Sequence, residues 1–239
     1  MKLDILPDVK AVAERGAQVI AAEARRVVSE RERFTLALSG GSTPWLMMQA
    51  LAEQDIPWDR VHVLQVDERV VPEGHTDRNL THLVEKLLSR SRLPDDHLHA
   101  MPVGEENLDE AAGAYARILE KLAGSPPAID LVHLGLGLDG HTASLVPRDP
   151  VLRVRDAYVS VTESYLGRRR MTLTYPALNR ARRVLWLVTG KSKAQMARRL
   201  CDGDESIPAG RVARDQAFLI ADRAAAAELG RSRHAEPAP

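Results

Sequence analysis

Apolar and polar positions along the chain form two kinds of segment, and their order predicts an α/β fold. Between Asp8 and Glu30 the apolar residues recur at intervals of three and four, which is typical of one face of a helix. Phe34–Leu38 is a short, largely apolar run that ends in glycines and a proline, as a buried strand does before a tight loop. This succession of apolar run, polar loop and amphipathic helix recurs along the chain.

The remaining elements follow from the same two patterns. Strands are predicted at Val61–Val66, Ile129–Leu134, Arg183–Val188 and Ala217–Ile220, with shorter β-like runs at Tyr158–Val161 and Met171–Thr174. Helices are predicted from Pro44 to Ala52, at Thr76–Leu88 and Leu108–Ala123, from Gly190 to about Leu200, and at Ala224–Leu229. Apolar strands that alternate with helices predict a largely parallel, doubly wound sheet covered on both faces. We expect one α/β domain over residues 1–230 and a disordered tail over residues 231–239.

Composition narrows the class of protein without naming a function. The 239 residues include 33 Lys and Arg and 33 Asp and Glu, so the chain lacks the basic surplus of a nucleic-acid binder or polybasic membrane binder. The one cysteine, Cys201, cannot form an internal disulfide, which favours a reducing, cytoplasmic location. No apolar run approaches the roughly 18 residues of a membrane span, and the first residues lack the apolar region of a secretory signal.

Loops that follow predicted strands carry most of the candidate chemistry, because ligands of open α/β sheets bind beyond the carboxyl ends of the strands. Gly40, Gly41 and Ser42 lie in a glycine-rich turn before a helix. Backbone N–H groups and the positive end of the helix there favour an anion. A plain turn with a Ser or Thr helix cap explains the same residues equally well.

Charged residues follow other strands, and their ordinary explanation is a solvated surface. Asp67, Glu68 and Arg69 come directly after Val61–Val66, where a surface ion cluster is the usual outcome. A carboxylate and a guanidinium at this edge can also bind sugar hydroxyls and phosphate oxygens. The same two interpretations apply to the arginines that precede Met171 and to the lysines after Gly190: Arg168, Arg169, Arg170, Lys191 and Lys193.

The loop from Gly135 to His141 gives the strongest signal. The imidazole of histidine changes protonation near neutral pH, and Asp139, two residues before His141, can hold its ring in one tautomer. The glycines fit a bare dinucleotide-binding pattern, but Asp139 at the helix start would repel a pyrophosphate. A helix-cap or loop histidine is the alternative; the neighbouring carboxylate and the loop position favour a functional His141.

Four blocks in a fixed order resemble the 6-phosphogluconolactonase family. They are LALSGGSTP, VDERVVP followed by Asn79, GLGLDGHTASLVP, and RMTLTYPALN followed by VTGKSKA. The resemblance extends from about Phe34 to Leu229. It implies a three-layer α/β/α sandwich and hydrolysis of 6-phosphoglucono-δ-lactone to 6-phosphogluconate in the oxidative pentose phosphate pathway. It also implies that no metal or organic cofactor takes part.

Site roles are implied by the resemblance position by position. The catalytic residues fall on His141, Asp139 and Arg69. The substrate-binding and phosphate-binding positions are Gly40, Gly41, Ser42, Asp67, Arg170 and Lys193. This chain has Tyr165-Leu166-Gly167 where the family often has prolines, which leaves open which of Arg168, Arg169 and Arg170 binds phosphate. Arg78 stands where a serine often precedes the asparagine of the second block.

Two other functions remain alternatives. A glucosamine-6-phosphate deaminase or isomerase shares the fold and the Asp-Gly-His loop but uses a carboxylate shortly after the histidine, and Thr142–Pro147 contains none. A sugar-phosphate-sensing domain of a transcription regulator would need a fused DNA-binding segment. The expected partner is a small sugar-phosphate lactone, with no nucleic acid and no membrane, and the protein is expected to be a monomer or a homodimer.

Overall fold

Most of the short apolar runs become strands in the computed structural model, which describes residues 1–229. The strands in chain order are β1 (Lys2–Leu6), β2 (Phe34–Leu38), β3 (Val61–Gln65), β4 (Asp67–Arg69), β5 (Leu98–His99), β6 (Leu131–Leu134), β7 (Val159–Val161), β8 (Arg170–Leu173), β9 (Val184–Val188) and β10 (Ala217–Asp222). The helices are α1 (Val9–Arg31), α2 (Ser42–Ala52), α3 (Asn79–Lys86), α4 (Leu108–Ala123), α5 (Tyr175–Leu178) and α6 (Ala194–Asp202).

Seven strands form the central sheet in the order β1-β10-β9-β6-β2-β3-β5, and all neighbouring pairs are parallel. Alternate residues of a strand face opposite sides of the sheet. In β9, Leu185 and Leu187 pack in the core shared with α1, α2 and α3, while Trp186 packs in the core shared with α4, α5 and α6. Helices thus cover both faces of a parallel sheet, which confirms the predicted three-layer α/β/α sandwich.

A second, three-stranded antiparallel sheet lies beside the carboxyl edge of the first. Its order is β4-β8-β7, and the main-chain N–H of Val66, between β3 and β4, donates to Leu38 at the end of β2. The register pairs Asp67 with Thr172 and Arg69 with Arg170. Because β4 follows β3 after a single residue, this small sheet carries its charged residues directly to the edge where ligands bind in such folds.

Helix boundaries follow local hydrogen bonding. The Asp8 carboxylate accepts from the N–H of Ala11 and caps α1, and the Asn107 side chain caps α4 in the same way. Pro44 lies in the first turn of α2, as predicted. No helix among residues 1–229 is long and apolar enough to cross a membrane.

Several predicted elements were wrong or missing. Ala224–Leu229 is a series of turns and not a helix: the Asp222 carboxylate accepts from the main-chain N–H of Ala225, and Ala225 and Ala226 pack into the core. β1 was missed because it is an edge strand with half-exposed Leu3 and Ile5 and the charged Asp4 between them. The predicted helix Thr76–Leu88 is shortened to α3, and the predicted tail, residues 231–239, lies outside the described residues.

Candidate active site

A cavity of about 450 Å³ opens where the loops after β2, β6 and β9 meet the antiparallel sheet. Each loop follows the carboxyl end of a parallel strand, so three segments distant in sequence come together at one edge. Every residue predicted for the site lines this cavity except Ser42. The lining also includes Ser39, Asn79, Gly135, Leu136, Gly137, Leu138, Ala143 and Tyr165.

His141 and Asp139 form a close pair in the loop after β6. Asp139 Oδ1 lies 2.5 Å from His141 Nδ1 and accepts from the main-chain N–H of His141 at 3.2 Å. With Nδ1 directed at the carboxylate, Nε2 is the ring nitrogen left for another partner. Burial acts to raise the pKa of Asp139, but the His141 ring and the N–H donors outweigh it, so the pKa lies below 3.8 and the carboxylate is ionised near neutral pH.

Gly137 permits this close pairing. A Cβ atom on Gly137 would lie 2.2 Å from His141 Nδ1 and 2.7 Å from Asp139 Oδ1, well inside contact distance. Its main-chain N–H donates to the carbonyl of His141 at 2.8 Å, which folds the loop back on itself. A glycine is therefore required at this position by the packing of the pair.

Arg69 and Arg170 are cross-strand neighbours of β4 and β8, and both line the cavity. Each has a buried Nε with no hydrogen-bond partner among residues 1–229. Arg69 Nη1 donates to the carbonyl of Asp77 at 2.6 Å. Burial lowers the pKa of Arg170, the charge of Arg69 acts in the same direction, and Asp67 opposes both. Two adjacent guanidinium groups with unsatisfied donors favour an anionic ligand.

Asp67 and Asn79 lie at the base of the cavity. Asp67 Oδ2 accepts from Ser144 Oγ at 2.6 Å, and Asn79 Nδ2 donates to the carbonyl of Asp67 at 2.9 Å. Asn79 Oδ1 is buried and has no hydrogen-bond partner in the described part of the chain. The sequence interpretation treated Asn79 as a helix-start residue within the second block; its position against the cavity depends on α3 packing beside β4.

The glycine-rich turn after β2 supplies a helix N-terminus. Gly41 precedes α2 with a φ of 127°, a conformation that side chains disfavour, and no side chain caps the helix. The N–H groups of a first helical turn lack partners within the helix, so they remain available to a ligand. Ser42 itself is exposed and lies outside the lining residues, so its hydroxyl is not part of the cavity wall.

Lys193 lines the cavity, whereas Lys191 is exposed and does not. Burial lowers the pKa of Lys193 below 10.5, and the negative charge of Asp139 partly offsets this. Lys193 and Asp139 thus line the same cavity. Of the two lysines in the segment after β9, only Lys193 therefore lines the cavity.

The three consecutive arginines before Met171 have different surroundings. Arg168 pairs with the carboxylate of Asp77 at 2.7 Å, and Arg169 Nε donates to the carbonyl of Thr162 at 3.4 Å. Arg170 alone of the three lines the cavity. Their places in the backbone account for the difference: Arg168 closes the turn before β8, whereas Arg170 is the first residue of β8 and pairs with Arg69 of β4.

Tyr165 is a cavity residue that sequence reasoning missed. Its hydroxyl donates to Asp139 Oδ2 at 3.2 Å, and its ring contacts both His141 and Arg170. The sequence offered one indication, Gly167, which predicts a tight turn next to Tyr165 but does not show that the turn reaches the cavity. Among residues 1–229, no three His, Cys, Asp or Glu side chains are arranged to hold a metal ion.

Comparison with known proteins gives consistent matches over most of the chain. Residues 7–220 match the family model described as glucosamine-6-phosphate isomerases/6-phosphogluconolactonase. A 6-phosphogluconolactonase of Nostoc sp. is 38% identical over 195 residues, which span 80% of this chain and 81% of that protein.

Solved structures agree with this match. The crystal structure of a 6-phosphogluconolactonase from Thermotoga maritima superposes with a TM-score of 0.82 at 28% identity, covering 92% of this chain and 98% of the other. A monomeric glucosamine-6-phosphate deaminase has a TM-score of 0.83 at 18% identity over 95% of this chain and 100% of its own. At that identity the second likeness shows the shared fold alone.

Proposed function

Since the chain belongs to the glucosamine-6-phosphate isomerase/6-phosphogluconolactonase family, we propose that it hydrolyses 6-phosphoglucono-δ-lactone to 6-phosphogluconate in the oxidative pentose phosphate pathway. The observation that carries the proposal is the His141–Asp139 pair, which faces a cavity lined by Arg69, Arg170 and Lys193. A general base beside three cations suits an electrophilic substrate that carries a phosphate.

His141 acts as the general base in this proposal. Asp139 holds the ring through Nδ1, so Nε2 accepts a proton from a water molecule as its oxygen attacks the lactone carbonyl carbon. The tetrahedral intermediate then collapses, the bond between the carbonyl carbon and the ring oxygen breaks, and the imidazolium returns the proton to that oxygen. The products are the open-chain carboxylic acid, which then loses its proton to solvent to give the carboxylate, and a free hydroxyl; the base is regenerated.

Arg69 stabilises the negative charge that develops on the carbonyl oxygen during attack. Its guanidinium lines the cavity and has a donor without a partner, so it needs little rearrangement to bind an oxyanion. A lactone carbonyl is already an electrophile, so the proposed reaction needs neither a metal nor an organic cofactor.

The substrate phosphate is the handle that places the lactone against His141. We assign it to the N–H groups of the Gly40-Gly41-Ser42 turn and to the charges of Arg170 and Lys193. Asp67 accepts a hydrogen bond from a sugar hydroxyl. Binding energy from the phosphate then lowers the barrier by orienting the reacting carbon. We place this activity in the cytoplasm, on the strength of the single cysteine.

The test is a rate measurement with the purified protein. It is incubated with freshly generated 6-phosphogluconolactone, and the spontaneous hydrolysis measured without protein is subtracted. In parallel, ammonia release is measured with glucosamine-6-phosphate as substrate, which tests the deaminase alternative. The proposal predicts accelerated lactone loss and no ammonia. Lactone loss at the spontaneous rate would refute it, and ammonia release alone would favour the deaminase.

A further inference from the structure

The connection between β7 and β8 reaches the cavity through a tight two-residue turn. The main-chain N–H of Tyr165 donates to Arg168 at 3.0 Å, and that of Arg168 donates back to Tyr165 at 3.3 Å. Leu166 and Gly167, at the tip, have φ values of 52° and 77°, the left-handed pair that closes such hairpins. The hydrogen-bonded backbone of this turn therefore fixes the position from which the Tyr165 side chain reaches the cavity.

Tyr165 contacts three residues of the proposed machinery. Its hydroxyl donates to Asp139 Oδ2 at 3.2 Å, while Asp139 Oδ1 is hydrogen-bonded to His141 Nδ1. The ring meets the His141 ring edge-on, with centroids 5.7 Å apart, and the Arg170 guanidinium lies 5.1 Å above the ring centroid. These distances are in the range of favourable aromatic and cation–π contacts.

The ring and the main-chain N–H of His141 both hold Asp139 Oδ1, and the Tyr165 hydroxyl holds Oδ2, so contacts on both oxygens fix the rotation of the carboxylate. A carboxylate held only by His141 can turn about its side-chain bonds and carry the imidazole with it. Burial and the charge of Asp139 raise the pKa of Tyr165, which keeps the phenol protonated and able to donate near neutral pH.

The same turn is also held on its other side. Arg168 pairs with the carboxylate of Asp77 at 2.7 Å, and the carbonyl of Asp77 accepts from Arg69 Nη1. The hairpin tip is thus tied to the Asp139 loop through Tyr165 and to the segment before α3 through Arg168. A side chain in this position can keep its orientation when substrate enters.

We propose that Tyr165 is a positioning residue for the lactone hydrolysis assigned above. Its hydroxyl locks the Asp139 carboxylate that orients His141, and its ring supports the Arg170 guanidinium at the phosphate end of the cavity. This inference rests on the proposed function. The hydrogen bond from the hydroxyl to Asp139 should affect turnover, and the contact of the ring with Arg170 should affect phosphate binding.

Two substitutions of Tyr165 distinguish these effects. Tyr165→Phe keeps the ring and removes the hydrogen bond to Asp139, so kcat should fall about tenfold while KM stays near the wild-type value. Tyr165→Leu also removes the ring under Arg170, so KM for the phosphorylated lactone should rise a further threefold to tenfold, roughly. Unphosphorylated gluconolactone should show the kcat loss with both variants but no additional KM effect.

Leu166→Asn is the matched control in the same turn. Leu166 is 80% exposed and lies outside the cavity lining, and asparagine tolerates its left-handed backbone. This variant should keep wild-type kcat and KM. Melting temperatures and affinity for 6-phosphogluconate are measured on every preparation, so a folding defect is seen separately from a loss of turnover per folded molecule.

The outcomes separate this inference from the function on which it rests. An active wild type with a folded Tyr165→Phe variant of equal kcat overturns the positioning role and leaves lactone hydrolysis intact. Equal losses in Tyr165→Phe and Leu166→Asn overturn it too, because they show general disturbance of the turn. A wild-type protein without lactonase activity overturns both. The positioning role is supported if kcat falls in both variants while KM for the phosphorylated lactone rises only in Tyr165→Leu.

Discussion

Three cations, Arg69, Arg170 and Lys193, line one cavity. Some other arginines have a carboxylate within 4.0 Å, as Arg168 does with Asp77 and Arg199 does with Asp204. No such pair involves Arg69, Arg170 or Lys193 within residues 1–229. The carboxylates of Asp67 and Asp139 only partly offset these three positive charges, so the arrangement favours an anionic ligand.

Lys193→Ala and Arg170→Ala should each weaken anchoring of the substrate phosphate. Each removes a charge-assisted contact worth about 1.5–3 kcal/mol, and the loss should appear mainly in KM for 6-phosphogluconolactone. Hydrolysis of unphosphorylated gluconolactone should change little. Lys191→Ala is the control, because Lys191 is exposed and outside the cavity. Steady-state kinetics on both lactones checks this, and equal losses on the two substrates would contradict a phosphate role.

At the scale of elements, the antiparallel sheet and α3 are joined by Glu68. This carboxylate is fully buried and accepts from the main-chain N–H groups of Asn79 and Leu80, each at 2.8 Å. It also accepts from the N–H of Arg69 and from the side chain of Gln65. Glu68 thus caps α3 from a neighbouring strand, while Arg78, at the N-cap position, makes no side-chain cap bond.

Glu68→Gln should destabilise the fold by about 1.5–3 kcal/mol, because an amide NH₂ replaces one acceptor oxygen opposite backbone donors. For a chain of this length that corresponds to a fall in Tm of roughly 3–12 °C. Glu85→Gln, on the exposed side of α3, is the control and should leave Tm nearly unchanged. Differential scanning calorimetry measures both. A Glu68→Gln protein as stable as Glu85→Gln would show that the cap is dispensable.

Hydrophobic pattern was enough for the elements that bury apolar side chains. The main strands β2, β3, β6, β9 and β10 were predicted within a few residues because each is a continuous or nearly continuous buried run. The strands β1, β4 and β5 were not, because they are short, charged or at an edge. Helix α3 began late for a related reason: its cap is a carboxylate eleven residues earlier, a contact that only the tertiary fold creates.

The candidate site, too, could be predicted from the sequence only in part. His141 and Asp139 lie two residues apart, so their pairing was visible in one loop. That Arg170, rather than Arg168 or Arg169, faces the cavity depended on the register of β8 with β4, which short strands do not specify. Tyr165 was missed because its contact with Asp139 spans 26 residues.

For the whole molecule, histidines that are wholly or partly buried contribute to the response to acid. His62, His97 and His99 lie together at the β3–β5 edge, with 3.1 Å between His62 Nδ1 and His99 Nε2 and stacked rings of His62 and His97. Burial, followed by the charges of His97 and His99, lowers the pKa of His62 to about 4. Burial alone lowers the pKa of His133 to about 3. An unfolded histidine has a pKa near 6.5, so the unfolded chain binds more protons at intermediate pH.

Stability should therefore fall as pH drops from about 6.5 towards 4. Each such histidine contributes a slope of at most about 1.4 kcal/mol per pH unit in the free energy of unfolding. Between pH 6 and 5, His62→Gln should reduce the slope of the free energy of unfolding against pH by up to one proton's contribution. Near pH 7.5, where histidines are neutral in both states, the slope should match that of the wild type. Urea unfolding at several pH values measures the slope. An unchanged slope in His62→Gln would show that His62 titrates normally in the folded protein.

The central claim, that His141 is the base of a lactone hydrolase, is tested most directly by turnover of His141→Asn. Asparagine retains hydrogen bonding but cannot take a proton, so kcat should fall by roughly 10²–10⁴-fold. Affinity for 6-phosphogluconate and Tm should stay close to wild type, because the proposed phosphate contacts are on other residues. Asp139→Asn should reduce kcat by less. A stable, product-binding His141→Asn protein that keeps wild-type kcat would contradict the account.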